Sequence, residues 1–169
     1  PLKEYIEIKG NTRGIAGGAF EDNKIIKKVS LPNELIGIST SAFGNCENLE
    51  DMNLPSSIER IGIESFENTK YLNNLPTDDY GCRYVGSLLL AYADKGVDKI
   101  KIKDGTKLIA GNTFHDAKSI KEVYIPRSVQ YIGDQAFSFC SNIEKVEFEE
   151  DSKLESIERY VFQNCSSLR

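Results

Sequence analysis

Apolar and polar positions alternate in short runs along the chain: Val29 and Leu31, Met52 and Leu54, Ile100 and Ile102, Val123 and Ile125, Val146 and Phe148 each stand two apart. A period of two marks the inward side of a short strand, so the residues between them face out. Pro32, Pro55 and Pro126 close three of these runs, which suits a residue with no N–H to give to a ladder. Ahead of most runs a small residue followed by Phe recurs: Ala19-Phe20, Ala42-Phe43, Ser65-Phe66, Thr113-Phe114, Ala136-Phe137 and, more weakly, Val161-Phe162. Recurrence at one place per unit makes Phe20, Phe43, Phe66, Phe114, Phe137 and Phe162 the expected core. Flanked by Gly, Asn and Ser, these segments read as short helical or 3-10 turns on the side opposite the strands.

The six Phe residues stand 23, 23, 48, 23 and 25 positions apart, so the chain is a repeat with one lengthened step. The units run over residues 15–37, 38–60, 61–108, 109–131, 132–156 and an incomplete 157–169, within one expected domain covering 1–169. A longer period appears at an offset of 94 residues, where eight of the fifteen positions from Ile6 to Phe20 are identical to those from Ile100 to Phe114. The long unit holds two apolar runs split by Gly86-Ser87, from Cys82 to Val85 and from Leu88 to Ala93, a hairpin signal. Before it, Leu75 to Gly81 is turn-rich and polar. Thr77, Asp78, Asp79 and Tyr80 are therefore the loop expected to project. No unit can bury its apolar face alone, so the units must stack into a solenoid.

The spacing Ile-x-x-x-Ala-Phe-x-x-Cys-x-x-Leu, continued by an alternating strand and Leu-Pro, is carried best by Ile38 through Pro55 and again by Ile132 through Phe148. It resembles the BspA-like leucine-rich repeat, and the Tyr84 to Tyr92 insert resembles a variant unit of that family. The resemblance covers nearly the whole chain. It implies an α/β repeat class: a right-handed leucine-rich-repeat solenoid with a short parallel strand per repeat, on secreted or surface-attached proteins often linked to adhesion. It brings no catalytic residues, because the motif is structural. Asn23, Thr69 and Ala117 stand where Cys46, Cys140 and Cys165 stand in other copies.

Composition narrows the chemistry. With 21 basic against 26 acidic residues and a net charge of -5, the chain lacks the clustered cations of a nucleic-acid footprint. No stretch approaches the length of a membrane span, so direct membrane insertion is not expected. The start, Pro1-Leu2-Lys3-Glu4, carries neither an initiator Met nor a signal pattern, which leads us to expect a piece of a longer protein. His115 is the single histidine and directly follows a core Phe, a poor setting for a fixed general base. The three repeat cysteines share one column, and similarly directed Cβ vectors favour free thiols over a Cys140–Cys165 bridge. Cys82 lies off that column. Glu149-Glu150-Asp151-Ser152 and Asp78-Asp79 have no calcium-loop pattern and read as solvated carboxylates. Neither cofactor nor metal is expected.

What remains is the row of outward strand residues: Lys28 and Ser30, Asp51 and Asn53, Lys99, Lys101 and Lys103, Glu122 and Tyr124, Lys145, Glu147 and Glu149. Lys99, Glu122 and Lys145 alternate in sign, consistent with cross-strand ion pairing, while Tyr124 could anchor a partner. The sequence thus leads us to expect a non-catalytic extracellular or cell-surface interaction module, taking a host or neighbouring-cell protein or glycan. A passive spacer or stalk displaying another domain is the alternative.

Overall fold

The computed structural model describes residues 3–169, and the repeat closes into coils built almost wholly of strands and turns. Two compact units result, Pro1–Leu75 and Pro76–Arg169, each with its own pair of parallel ladders. In the first unit β1 (Tyr5–Glu7), β2 (Gly14–Ile15), β3 (Lys28–Ser30), β4 (Gly37–Ile38), β5 (Asp51–Met52) and β6 (Arg60–Ile61) pair as β1-β3-β5 and β2-β4-β6. The register sets Val29 beside Met52 and Ile15 beside Ile38, each turned inward and buried. The alternating runs thus form one ladder. The isoleucines preceding the Ala-Phe segments form a second that the period of two could not reveal, because its strands are only two residues long.

The second unit contains β7 (Cys82–Val85), β8 (Leu88–Tyr92), β9 (Lys99–Lys101), β10 (Leu108–Ile109), β11 (Glu122–Ile125), β12 (Tyr131–Ile132), β13 (Lys145–Phe148) and β14 (Ser156–Ile157). β9, β11 and β13 make one ladder with β11 in the middle. β14, β12, β10 and β8 make the other, to which β7 adds as the antiparallel partner of β8. The hairpin signal around Gly86-Ser87 is therefore realised, and β8 takes the place of a coil's strand: Leu88 and Leu89 align with Leu108 and Ile109.

The turns opposite the strands differ from the helical or 3-10 turns expected from sequence. The one α-helix among the described residues is the four-residue α1 (Lys70–Asn73), capped by Thr69, whose Oγ1 accepts from the Leu72 N–H at 3.1 Å. Elsewhere alternate N–H groups leave their own turn for the next coil: Phe20 N–H donates to the Ala42 carbonyl, Asp22 to Gly44, Phe43 to Ser65 and Asn45 to Glu67, at 2.8–2.9 Å. Phe114 N–H donates likewise to Ala136, and Phe137 N–H to Val161. A helix keeps its N–H groups for its own carbonyls four residues back, so these turns cannot be helical. Residues two places before and after each Phe sit at positive φ; Ser41 and Asn45 have φ of 52° and 57°, Asn112 and Asp116 62° and 58°. Asp22, Asn45, Asn68, Asp116 and Asn164 fill the later position, and Asn and Asp are the side chains that tolerate it best.

Aromatic stacking runs along the inside of these turns. Ring centroids lie 5.1 Å apart for Phe20–Phe43 and 5.9 Å for Phe43–Phe66, then 4.8 Å for Phe114–Phe137 and 5.4 Å for Phe137–Phe162, with planes within 14° of parallel. Tyr92 of β8 continues the second stack at 5.0 Å from Phe114. Phe43, Phe66, Phe114 and Phe137 are buried, whereas Phe20 and Phe162 are half-buried.

Candidate functional site

Titratable chemistry inside the coils is absorbed by structure. The Cys46, Cys140 and Cys165 thiols donate to the carbonyls of Phe20, Phe114 and Phe137 in the preceding coil, at 3.0, 2.9 and 3.1 Å. Where Cys is replaced, Thr69 directs its hydroxyl to Phe66 O at 2.7 Å, and Asn23 Oδ1 accepts from the N–H groups of Ile25 and Ile26. All four cysteines are free, Cys46, Cys82 and Cys140 being buried. Burial pushes the Cys82 and Cys140 thiols up to about 12, so neither is an activated nucleophile. His115 is exposed and lies against Phe139, with ring centroids 5.4 Å apart. Among the described residues no three His, Cys, Asp or Glu side chains converge as a metal site, and no helix is long and apolar enough to cross a membrane.

One carboxylate of each acidic run is also engaged. Glu149 holds Arg127 twice, its Oε2 accepting from the backbone N–H at 2.9 Å and its Oε1 lying 3.3 Å from the guanidinium. Asp78 Oδ1 closes its own loop by accepting from the N–H groups of Tyr80 and Cys82 at 3.0 and 2.8 Å, while Lys95 Nζ donates to the Asp78 carbonyl at 2.6 Å. The loop is thus a tied turn held against the hairpin, with an isolated bridge between Thr77 and Arg83.

On the outward strand face of the first unit, Lys28 pairs with Asp51 at 2.6 Å across β3 and β5. Asn53 turns its amide to the backbone of Leu31, accepting from its N–H at 2.8 Å and donating to its carbonyl at 2.9 Å. Ser30 is half-buried. Lys28, Asp51 and Asn53 are thus occupied with one another or with the ladder.

The second unit arranges the same face differently. Lys99 pairs with Glu122 at 3.1 Å across β9 and β11, and Lys145 with Glu147 at 2.5 Å along β13. Lys101 instead rests its ammonium 5.6 Å from the centre of the Tyr124 ring, and Lys103 lies 5.9 Å from that of Tyr84. Among the described residues neither of these lysines has a carboxylate within ion-pair distance. Tyr80 comes alongside from the loop, so that Lys99, Lys101, Glu122, Tyr124, Lys145 and Glu147 floor a shallow groove of about 230 Å3 with Tyr80 at its side. A second recess of about 290 Å3 follows on between Asp78, Asp79, Tyr80, Lys101, Lys103 and Asp104. Loop and strand face therefore line the same recesses. The sequence announced neither Asp104 on the rim nor Tyr84 beneath Lys103.

The family model for the BspA type leucine rich repeat region matches in six copies over residues 2–90 and 89–169. No curated protein matches the chain. Among solved structures, a leucine rich cell surface protein from Faecalibacterium prausnitzii A2-165 is similar at a TM-score of 0.52 and 22% identity, over 98% of this chain and 46% of that one. A leucine-rich repeat protein from Eubacterium ventriosum is similar at a TM-score of 0.40 and 14% identity, over 98% and 64%. The pneumococcal vaccine antigen PcpA is similar at a TM-score of 0.45 and 19% identity, over 82% and 42%. The chain spans less than two thirds of each of these proteins. With ladders of short parallel strands, a stacked Phe column and six copies of the motif, the chain belongs to the BspA-type leucine rich repeat family.

Proposed function

We propose that this chain is a non-catalytic interaction module of a cell-surface or secreted protein, binding an external protein or glycan through the strand face of residues 76–169. One observation carries the reading: the groove in which β9, β11 and β13 present Lys101, Tyr124 and Glu147 in register, with Tyr80 alongside. Ladder hydrogen bonds fix the spacing of these side chains before any partner arrives, so little order remains to be imposed on binding. An aromatic residue half-buried among charged neighbours is the usual make-up of an anchoring contact. The surface location draws on the description of the similar Faecalibacterium prausnitzii structure as a cell surface protein.

The test is a screen of extracellular proteins and glycans with the purified chain. Tyr124→Ala combined with Lys101→Glu should weaken a captured ligand at least ten-fold, whereas Lys118→Glu, on the turn side, should leave it unchanged. Equal affinity of the double variant and the parent would remove the strand face and leave the Asp78 to Gly81 turn. A spacer role draws support from the first unit, where Lys28, Asp51 and Asn53 are engaged within the ladder. Failure of the chain to capture any ligand in the screen would favour that role.

A further inference from the structure

Within the reading of the second unit as a binding face, we propose that its groove takes an acidic sugar, a pyranose bearing a carboxylate, at the end or within the chain of a glycan. The duplication supplies an internal comparison. At an offset of 94 residues the inward positions agree, Ile6 with Ile100, Ile8 with Ile102, Ile15 with Ile109 and Phe20 with Phe114, so the two units share a scaffold. Their outward positions do not agree. Tyr5, Lys28 and Asp51 in the first unit answer to Lys99, Glu122 and Lys145 in the second; Glu7, Ser30 and Asn53 answer to Lys101, Tyr124 and Glu147. Where the scaffold demands nothing, the second unit has a cation on an aromatic ring and the first has a carboxylate beside a serine.

Charge pairing then identifies what the groove lacks. Lys99 and Lys145 are matched by Glu122 and Glu147, which leaves Lys101 and Lys103 as cations resting on tyrosine rings. A cation over a ring only half-buried gains little, so an incoming carboxylate that accepts a charge-assisted hydrogen bond from Lys101 displaces a weaker contact with a stronger one. Moving that ammonium aside uncovers the Tyr124 face, on which the C–H side of a pyranose can lie, with Tyr80 beside it. The hydroxyls of the same ring donate to the Glu122 and Glu147 carboxylates. An acidic peptide cannot use the site this way, because it brings carboxylates toward Glu122 and Glu147 without hydroxyls to satisfy them. Nor can it add as a strand to β11, which is paired on both sides by β9 and β13.

The experiment uses the intact, isotope-labelled chain and three probes: a glucuronate-containing tetrasaccharide without sulfate, a neutral tetramer of N-acetylglucosamine, and a Glu-rich peptide. The acidic sugar should shift backbone amide resonances of residues 99–103, 122–125 and 145–148, leave those of 5–7, 28–30 and 51–53 in place, and lose affinity at least five-fold between 50 and 300 mM salt. Lys101→Gln and Tyr124→Leu should each weaken it at least five-fold, with the remaining spectrum unchanged as the sign of an intact fold. Equal binding of the neutral tetramer, or stronger binding of the peptide, at those resonances would overturn the acidic sugar while leaving the interaction module standing. No shift on this face with any probe would also overturn it, and the module would then rest on the ligand screen above.

Discussion

Phe114→Ala is the sharpest test of how the coils hold together. Phe114 is fully buried and lies between Tyr92 at 5.0 Å and Phe137 at 4.8 Å, so truncation removes two ring contacts at once. Two such contacts are worth roughly 1 to 3 kcal/mol beyond the buried area, and phenylalanine-to-alanine changes in closed cores cost about 3 to 5 kcal/mol in all. Phe20, half-buried and among the described residues stacked on Phe43 alone, should lose roughly half as much, because part of its ring is already in water. Guanidinium denaturation followed by far-ultraviolet circular dichroism measures both, provided the slope with denaturant matches the parent's. A nearest-neighbour assembly transmits the loss along the stack, so the Phe114 variant should also speed amide exchange in the flanking coils. A loss below about 1 kcal/mol for Phe114→Ala, or equal losses at the two sites, would refute the stacked column as a main source of stability.

Three further outcomes follow from the same geometry. Iodoacetamide at pH 8 should modify half-buried Cys165 first and Cys82 and Cys140 last, while all four should react in denaturant without reductant; a Cys140–Cys165 disulfide by mass analysis would contradict this. Because folding raises the Cys82 and Cys140 thiols to about 12, the stability they contribute is complete below the ordinary thiol range and is lost as pH rises from about 9 toward 12; a urea midpoint that does not fall between pH 8.5 and 10.5 would refute that sign. Gln135, held at φ of 56°, should gain on the order of 0.5 to 1 kcal/mol on replacement by Gly or Asn, whereas Gly133→Ala should lose on the order of 1 to 3, since its Cβ would stand 2.5 Å from Gly111 N; thermal melts that reverse this order would refute the turn geometry.

The inward strand residues and the Phe column were legible because burial leaves a strict period in the sequence. The helical turns were misread for a physical reason: glycine, asparagine and serine around Ala-Phe were taken as turn formers in general, yet their placement two residues to either side of Phe is the mark of a left-handed backbone. The cysteine column was legible as structural, but its purpose was not, since a thiol donating to a carbonyl one coil earlier involves residues 26 or more positions apart. Among the outward residues, sign alternation announced the Lys99–Glu122 pair, while nothing local announced that Asn53 would serve the Leu31 backbone. Side chains that reach across coils are invisible to a reading that proceeds along the chain.

The insert is where scaffold and site meet. A plain repeat would carry Phe66 to a next Phe at the common spacing. Here β8 fills one coil's place in the second unit's ladder through Leu88 and Leu89, and through Tyr92 it adds a ring to the stack of Phe114 and Phe137. Earlier in the long step Tyr71 packs against Phe66 at 5.8 Å within the first unit, whereas residues 76–85 need not contribute to stacking. They form β7 and the turn before it, locked by Asp78 Oδ1 and Lys95, and that turn sets Tyr80 beside Lys101 and Tyr124. Releasing the lock should therefore open the groove while sparing the stack. Asp78→Ala removes two hydrogen bonds to backbone N–H groups, a loss on the order of 1 to 3 kcal/mol confined to residues 77–83. Amide exchange should quicken there and stay slow at Val123 and Phe137, and affinity for whatever ligand the groove takes should fall with Tyr80 no longer held. Unchanged exchange at Tyr80 and Cys82 in the Asp78→Ala chain would mean that the hairpin, and not this carboxylate, positions the wall of the site.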